Sequence, residues 1–298
     1  MALTVPAGLP AVDILRQEGF EVLSAGEGAP LKIGILNLMP IKITTETDLA
    51  RLLASSPLPV EMTLFEPATH TSKTTPAEHI RKFYKKASRF GADEFDGFII
   101  TGAPLERVDF EDVDYWNELC GIMDASLTFA RSTLYICWAA FAALYHRYGV
   151  RKHLYDTKIS GIYPHSVISP CSLTSGFDDE FYVPHSRFIG FDREEIDKHP
   201  SLNIVAESDE AGIYIIGDAN GRDFYITGHS EYSPLTLDTE YRRDLGKGMN
   251  PSIPVNYYKN DNPALEPIVR WRSHSRLLFH NWLNYYVSPR RVCGIIER

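Results

Sequence analysis

Residues 135–141 read YICWAAF, and this stretch decides the fold because an apolar strand passes directly into an alanine-rich helix at Cys137. A thiol at a strand-to-helix turn lies at the positive end of the helix dipole, which favours the thiolate. The turn also exposes the side chain and directs the N–H of the next residue, Trp138, toward an oxyanion. A cysteine in an apolar strand is more often a small buried hydrophobe, so its position at the turn is what favours catalysis.

The chain before this stretch alternates between strands and helices. Apolar runs predict strands over residues 31–39, 60–65, 95–101 and 133–137. Helices are predicted over residues 45–53, from Thr75 through the basic residues 81–89, and over residues 111–131, with Thr75 and Glu78 spaced as in a capping box. This order predicts an α/β fold with a parallel sheet covered by helices on both faces, and ligands bind such sheets beyond the carboxyl ends of the strands. Four landmarks fall at those ends: Pro40, Gly102, Cys137 and His229.

After about residue 150 the pattern changes to shorter strands, which we expect to be antiparallel, over residues 158–167, 203–208, 212–217 and 223–227. Residues 217–221, GDANG, predict a hairpin loop. Helices are predicted over residues 236–247 and 276–286. Because no linker or repeat divides the chain, we expect residues 31–298 to form a single domain, with residues 1–30 as an arm packed against it.

The composition excludes several classes of function. The 298 residues carry a net charge of −9, and 44% are hydrophobic, as in soluble globular proteins. An acidic chain is a poor partner for nucleic acid, which needs a basic face. We expect neither a secretory leader nor a membrane span, because the longest apolar run, residues 134–145, is too short to cross a bilayer. The cysteines lack CxxC spacing, which argues against zinc and disulfides and favours a reducing cytoplasm: Cys120, Cys137, Cys171 and Cys293.

A second stretch, residues 225–232, reads YITGHSEY and follows another apolar strand. An isolated histidine is more often structural, but here Glu231 follows His229 by two residues. A carboxylate near an imidazole fixes its tautomer and stabilises the imidazolium, so the pair could serve Cys137 as base and orienting group. Neither an HExxH motif nor a third ligand accompanies the pair, and we therefore expect no metal site.

The ordered motifs of the chain resemble a known family, the homoserine O-acyltransferases of the transsuccinylase type. The resemblance extends over nearly the whole sequence, and its motifs are NLMP (37–40), TGAPL (101–105), YW (115–116), ICW (136–138), GFDD (176–179), PHSR (184–187), GHSEY (228–232), WRSH (271–274) and NWLNYY (281–286). It implies a flavodoxin-like fold of the class I glutamine amidotransferase type. It also implies a catalytic triad of Cys137, His229 and Glu231.

The resemblance implies transfer of an acetyl group from acetyl-CoA to the hydroxyl of L-homoserine, in methionine biosynthesis, through a thioester on Cys137. His229 would be the base, and the Trp138 N–H would belong to the oxyanion hole. Three matching positions imply contacts to the amino-acid acceptor: Lys158, Ser186 and Arg243. An arginine fork suits an α-carboxylate. We expect no bound cofactor, acetyl-CoA as co-substrate, and neither a membrane nor a nucleic-acid partner. The oligomeric state stays open, with a homodimer as one option.

Glu106 directly follows the TGAPL motif, at the family position that sorts acyl groups. A small residue there resembles enzymes that use succinyl-CoA, whereas a glutamate resembles those that use acetyl-CoA. A second carboxylate beside that of a succinyl group would cost roughly 4 kcal/mol at an effective dielectric constant of about 20. Glu106 also occupies the volume that a succinyl tail would need, so we expect acetyl-CoA as the donor.

Three positions depart from the family pattern. Ala139 stands where glycine is common, Phe141 replaces a glutamine, and Ser175 replaces a frequent arginine. Some relatives are thought to acetylate L-serine, and a difference of one methylene is worth only ~1–3 kcal/mol in discrimination. A serine O-acetyltransferase of cysteine biosynthesis is therefore the alternative on the same scaffold, and a homoserine O-succinyltransferase is a weaker one.

Two other classes of function make different predictions. A cysteine hydrolase or glutamine amidotransferase of this fold would carry a Cys-x-Gly-x-Gln motif, which residues 137–141 lack. A non-catalytic amino-acid-binding relative would have a broken triad, whereas all three triad members are present.

Overall fold

The computed structural model describes residues 3–23, 30–70, 72, 74–88, 90–91 and 94–288. Its strands are β1 (Leu3–Thr4), β2 (Val22–Leu23), β3 (Leu31–Leu36), β4 (Val60–Glu66), β5 (Tyr84–Lys86), β6 (Phe95–Ile100), β7 (Ala130–Ile136), β8 (His153–Val167), β9 (Phe181–Gly190), β10 (Leu202–Ser208), β11 (Gly212–Asp218) and β12 (Asp223–Ile226). They form one sheet in the order β2-β1-β4-β3-β6-β7-β12-β11-β10-β8-β9, with β5 paired to β4.

The helices are α1 (Ala11–Gln17), α2 (Lys42–Ala54), α3 (Ala77–Phe83), α4 (Trp116–Phe129), α5 (Trp138–Tyr148), α6 (Arg193–Asp197), α7 (Thr236–Gly246) and α8 (Arg272–Asn281). Short 3₁₀ turns cover Phe110–Asp112, Ser172–Thr174 and Lys259–Asp261, and a π-helical turn, Trp282–Val287, follows α8. The π turn holds Trp282 under the sheet, where its indole N–H donates to the Ser132 hydroxyl at 2.9 Å. A Cβ atom at Gly97 would lie 2.8 Å from this indole, so only glycine fits there.

The strands from β2 to β12 along the sheet are parallel to their neighbours, which confirms the predicted parallel sheet. Apolar side chains of the strands are buried on both faces. One face packs against α1, α2 and α8 through residues such as Leu49, Leu53 and Leu278. The other packs against α4 and α5 through residues such as Leu119 and Leu144. The α/β class with helices on both faces of the sheet is therefore confirmed.

The second half of the chain extends this sheet with antiparallel strands. β11, β10 and β8 are antiparallel to their neighbours, as expected. β9, a strand that the sequence did not predict, pairs antiparallel with β8. The expectation was wrong for residues 223–226, because β12 lies parallel to β7 and antiparallel only to β11. The hairpin loop over residues 217–221 is present, and the Asp218 carboxylate closes it by accepting from the Arg222 and Asp223 N–H groups at 2.6 and 3.1 Å.

Several boundaries differ from the sequence prediction. The helix that begins after Thr75 ends at Phe83, because Tyr84–Lys86 pair with β4 as a strand instead of continuing the helix. The predicted capping box does not form, since the Thr75 hydroxyl donates to the Pro40 carbonyl at 2.9 Å. At the other end of the chain, α8 begins at Arg272 instead of residue 276.

The N-terminal residues extend the edge of the same sheet. β1 pairs in parallel with both β2 and β4, and α1 buries Leu15 in the core beside α2. The division of the chain into an arm, residues 1–30, and one domain, residues 31–298, stays a prediction.

A buried pair of histidines joins β8 to β9. The two Nε2 atoms of His165 and His185 lie 3.0 Å apart, and His165 Nδ1 lies 2.9 Å from the Tyr163 carbonyl. Because a carbonyl only accepts, His165 Nδ1 donates, and its Nε2 accepts from the Nε2–H of His185. Arg187 Nε donates to His185 Nδ1 at 3.4 Å. Burial lowers the pKa of His165 to about 3, and burial with the neighbouring Arg187 charge lowers the pKa of His185 well below its ordinary value, so both rings are neutral.

This pair predicts that the protein is sensitive to acid. Below about pH 6.5, the ordinary pKa of histidine, both histidines bind a proton in the unfolded chain but stay neutral in the folded chain. The free energy of unfolding should then fall by roughly 1 kcal/mol per pH unit for each histidine, down to the folded pKa of His165 at about 3. His165→Gln removes one titrating ring but keeps an acceptor, so it should flatten this fall. Urea unfolding from about pH 7 to about pH 4 measures the effect, and an unchanged slope in the variant would contradict it.

Candidate active site

Cys137 lies at the turn between β7 and α5 in a strained backbone conformation, with φ 50° and ψ −120°. A positive φ is uncommon for a residue other than glycine and persists only where the surroundings enforce it. Here the Cys137 N–H donates to the Ile226 carbonyl of β12 at 2.7 Å, which continues the parallel β7–β12 pairing beyond the strand ends. The residue is 5% exposed and lies at the strand-to-helix turn that the sequence predicts.

His229 and Glu231 follow β12, the neighbour of β7, so the strand pairing brings them to the same sheet edge as Cys137. The His229 N–H donates to the Pro184 carbonyl at 2.8 Å, which fixes its backbone against β9. Its Nδ1 lies 2.6 Å from Glu231 Oε1, and the Cys137 side chain is near enough to the ring to help raise the pKa of His229. His229 is 4% exposed and Glu231 9% exposed. The three predicted triad residues therefore lie together at one edge of the sheet, with His229 bonded to Glu231.

The charge of His229 is set by this chain of contacts. Burial opposes the charged form, but the neighbouring Cys137 and Glu231 side chains outweigh it and raise the pKa of His229 well above its ordinary value. An imidazolium therefore faces the Cys137 sulfur at neutral pH. This arrangement is the one that activates a cysteine nucleophile.

Gly102, at the carboxyl end of β6, lies directly against Cys137. A Cβ atom at this position would come within 3.2 Å of the Cys137 Cβ and 3.6 Å of the Trp138 nitrogen. Trp138 is the first residue of α5, where backbone N–H groups have no partner within the helix. The glycine thus leaves open the space beside the Trp138 N–H.

Glu106 points back toward this centre from the loop after β6. Its Oε1 accepts from the Phe188 N–H of β9 at 3.0 Å. Burial raises the pKa of Glu106, against the effect of that hydrogen bond and of the positive charges of Lys158 and His229. The carboxyl group is therefore within electrostatic reach of both the triad and Lys158.

Lys158 and Ser186 meet at a carboxylate that the sequence analysis did not single out, that of Glu240 on α7. The Ser186 hydroxyl donates to Glu240 Oε2, and Lys158 Nζ lies 3.3 Å from the same oxygen. Burial alone would raise the pKa of Glu240, but Lys158, Ser186 and other neighbours lower it, so the carboxylate stays charged. Glu240 precedes Arg243 by three residues and so lies on the same face of α7.

Arg243 lies at the rim of this cluster. Its side chain is 46% exposed, and its guanidinium is held 2.8 Å from Asp244 Oδ1. Asp244 also lies 3.7 Å from Lys158, so the carboxylate links the two cations. One edge of the Arg243 fork is thereby used, and its remaining donors can bind a ligand.

No metal site accompanies these residues in the described part of the chain, where no group of three His, Cys, Asp or Glu side chains is arranged to bind an ion. Among the helices of the same residues, none has the length and apolar character needed to cross a membrane.

Comparison with known proteins identifies a family. The family model described as homoserine O-succinyltransferase matches residues 2–292. Among similar proteins, the homoserine O-acetyltransferase of Bacteroides fragilis is 52% identical, with 96% of each chain covered. The homoserine O-acetyltransferase of Acetivibrio thermocellus is 49% identical, again with 96% of each chain covered.

Solved structures support the fold. A glutamine amidotransferase from Thermotoga maritima has a TM-score of 0.57 at 13% identity, covering 88% of this chain and 99% of that chain. A glutamine amidotransferase from Methylobacillus flagellatus has a TM-score of 0.52 at 12% identity, covering 85% and 94%. At such low identity the likeness concerns architecture alone, and it confirms the expected glutamine amidotransferase-like fold.

Replacing Glu231 tests the electrostatics of this centre. Glu231→Gln keeps a hydrogen-bond acceptor but removes the negative charge that helps to raise the pKa of His229. We expect alkylation of Cys137 by iodoacetamide at neutral pH to slow on the order of tenfold, because the imidazolium that faces the sulfur loses the carboxylate charge that stabilises it. Peptide mass spectrometry over a time course measures this rate. Cys120 is an internal control, because burial raises its pKa to about 11 and it should stay unmodified. Equal rates in wild type and variant would contradict the role of the Glu231 charge.

Proposed function

The chain belongs to the homoserine O-succinyltransferase family, and we propose that within this family it is a homoserine O-acetyltransferase. The observation that carries this proposal is the identity of about half of all residues, over nearly the full length of both chains, with relatives of that name. We place the enzyme in the cytoplasm, with acetyl-CoA as co-substrate and no bound cofactor. A homodimer stays one option for its assembly.

The first half-reaction acetylates Cys137. Its sulfur attacks the thioester carbonyl of acetyl-CoA, so that one S–C bond forms while the S–C bond to CoA breaks. The CoA thiolate leaves with the proton of the His229 imidazolium. Exchange between thiol and thioester is nearly isoenergetic, which suits a cysteine to this donor. The Trp138 N–H at the N-terminus of α5 would donate to the carbonyl oxygen as negative charge develops on it.

The second half-reaction transfers the acetyl group to the acceptor. The homoserine hydroxyl attacks the Cys137 thioester and gives its proton to His229, and the cysteine leaves as a thiolate. Each cycle thus restores the thiolate and imidazolium with which it began. Glu231 holds the ring through Nδ1 in both halves, which keeps Nε2 available for the proton.

The acceptor is a zwitterion, and the charges beside the triad are of both signs. We propose that the Glu240 carboxylate binds its α-ammonium group, with the Ser186 hydroxyl alongside. Lys158 and the free edge of the Arg243 fork would bind its α-carboxylate. Binding would then break the salt bridge of 3.3 Å between Lys158 and Glu240. Lys158 would pair with the α-carboxylate of the acceptor, and Glu240 with its α-ammonium group.

The names of the relatives favour homoserine over serine as acceptor. Phe141, one of the departures from the family pattern, is fully buried and stacks on Phe191 at 4.1 Å. The ring therefore serves the packing of α5, and its presence gives no support to the serine alternative.

A set of four assays tests this function, with acetyl-CoA or succinyl-CoA as donor and homoserine or serine as acceptor. We expect acetyl-CoA with homoserine to be fastest. Glu106→Gly removes both the charge and the volume of the side chain, and should raise kcat/KM for succinyl-CoA at least tenfold, since like charges in a partly desolvated site repel by roughly 4 kcal/mol. Faster wild-type turnover with succinyl-CoA, or a strong preference for serine, would contradict the proposal.

Two control variants accompany this test. Glu106→Gln keeps the size of the side chain without its charge, which separates the effect of charge from that of volume. Glu111→Gly removes an exposed acid five residues further along the chain, and it should behave as wild type. Because burial raises the pKa of Glu106, falling pH should neutralise it and narrow the wild-type preference for acetyl-CoA. The Glu106→Gln enzyme should lack this pH dependence.

A further inference from the structure

We propose that Tyr232 is a positioning residue that couples the acceptor-binding carboxylate of Glu240 to the base His229. This inference rests on the proposed function and extends it, because it concerns only the half-reaction in which the acceptor is used. The observation behind it is that the Tyr232 side chain contacts both groups: its hydroxyl bonds to Glu240, and its ring stacks on His229.

The ring of Tyr232 lies flat on the imidazole of His229. The two ring centroids are 4.1 Å apart and their planes differ by 19°. Glu231 already binds the imidazole in its own plane, through Nδ1 at 2.6 Å. A hydrogen bond in the plane and a ring stacked on the face together restrict both the tilt and the rotation of the base. The aromatic face also favours the imidazolium form.

The hydroxyl of Tyr232 holds the other group. It donates to Glu240 Oε1 at 2.9 Å, while Glu240 Oε2 is bound by Ser186 and Lys158. Each oxygen of the carboxylate thus has its own partner, which fixes the plane of the group. Burial and the neighbouring carboxylates raise the pKa of Tyr232 well above its ordinary value, so the phenol stays a donor throughout the working pH range.

The backbone of Tyr232 is also fixed. Its N–H donates to the His229 carbonyl at 3.2 Å, and its carbonyl accepts from the Trp271 indole at 3.0 Å. With both ends of the residue held, the rigid phenol ring sets the separation between Glu240 and His229. An amino acid bound to Glu240 by its ammonium group would therefore present its hydroxyl at a defined distance from Nε2 of the base.

The two half-reactions of a ping-pong enzyme separate this role from a merely structural one, because kcat/KM for each substrate reports only its own half-reaction. Tyr232→Phe keeps the stacked ring and removes the hydrogen bond to Glu240. We expect kcat/KM for homoserine to fall on the order of tenfold, mainly through a higher KM, because a hydrogen bond to a charged group is lost. The value for acetyl-CoA should change by less than about twofold, since the stack on His229 is retained.

Tyr232→Leu removes the ring as well and supplies the second arm of the test. It should also lower kcat/KM for acetyl-CoA and shift the pH profile of that half-reaction to lower pH, because the imidazolium loses its aromatic neighbour. Tyr258→Phe is the matched control. It removes a tyrosine hydrogen bond of 2.6 Å to another carboxylate of α7, Asp238, away from the triad, and should leave both values unchanged.

The outcomes distinguish the inference from the function on which it rests. If Tyr232→Phe has the wild-type kcat/KM for homoserine, or loses equally in both half-reactions, the positioning role is wrong. If the wild-type enzyme releases no CoA from acetyl-CoA in the absence of an acceptor, the proposed covalent function itself is wrong.

Discussion

The parallel pairing of β7 with β12 is the constraint on which the rest of the site depends. It places the ends of the two strands side by side, and the hydrogen bond of 2.7 Å from the Cys137 N–H to the Ile226 carbonyl extends it into the turn. That bond helps to hold Cys137 at a positive φ, at the turn where β7 ends and α5 begins. The same pairing delivers His229 three residues beyond the end of β12, within reach of the sulfur. Neither residue could act without the register of these two strands.

Three carboxylates surround this centre, and their environments assign them different roles. Glu231 is bonded to His229 and helps to keep the ring charged. Glu240 is kept ionised by Lys158 and Ser186, as a group that binds an ammonium ion must be. Glu106 is pushed toward its neutral form by burial, so its effect on the acyl donor combines charge with volume. A site with this much negative charge is stable because each acid has its own hydrogen-bond donor or cation.

The sequence predicted those parts of the structure that depend on local pattern. Apolar runs in the sequence mark the parallel strands. The ends of these runs mark the turn at Cys137 and the positions of His229 and Glu231 after β12. The strand at Tyr84–Lys86 was missed because its residues pair at the sheet edge with β4, a contact that overrides the helical pattern of the basic cluster. Glu240 was missed for a similar reason: its partners lie on β8, on β9 and in the loop after β12, so only the folded chain brings them together. The parallel pairing of β12 with β7 was missed because a short strand that follows a hairpin loop is expected to pair only with the preceding strand, in the antiparallel direction.

Incubation of the wild-type enzyme with acetyl-CoA alone, followed by intact-mass and peptide analysis, tests the central claim most directly. The account predicts one added acetyl group, located on the peptide that contains Cys137. Addition of homoserine should then remove it and release an equal amount of O-acetylhomoserine. An acetyl group on another residue, or full turnover with no adduct on Cys137 at any time, would contradict the covalent mechanism built on the strand-to-helix turn.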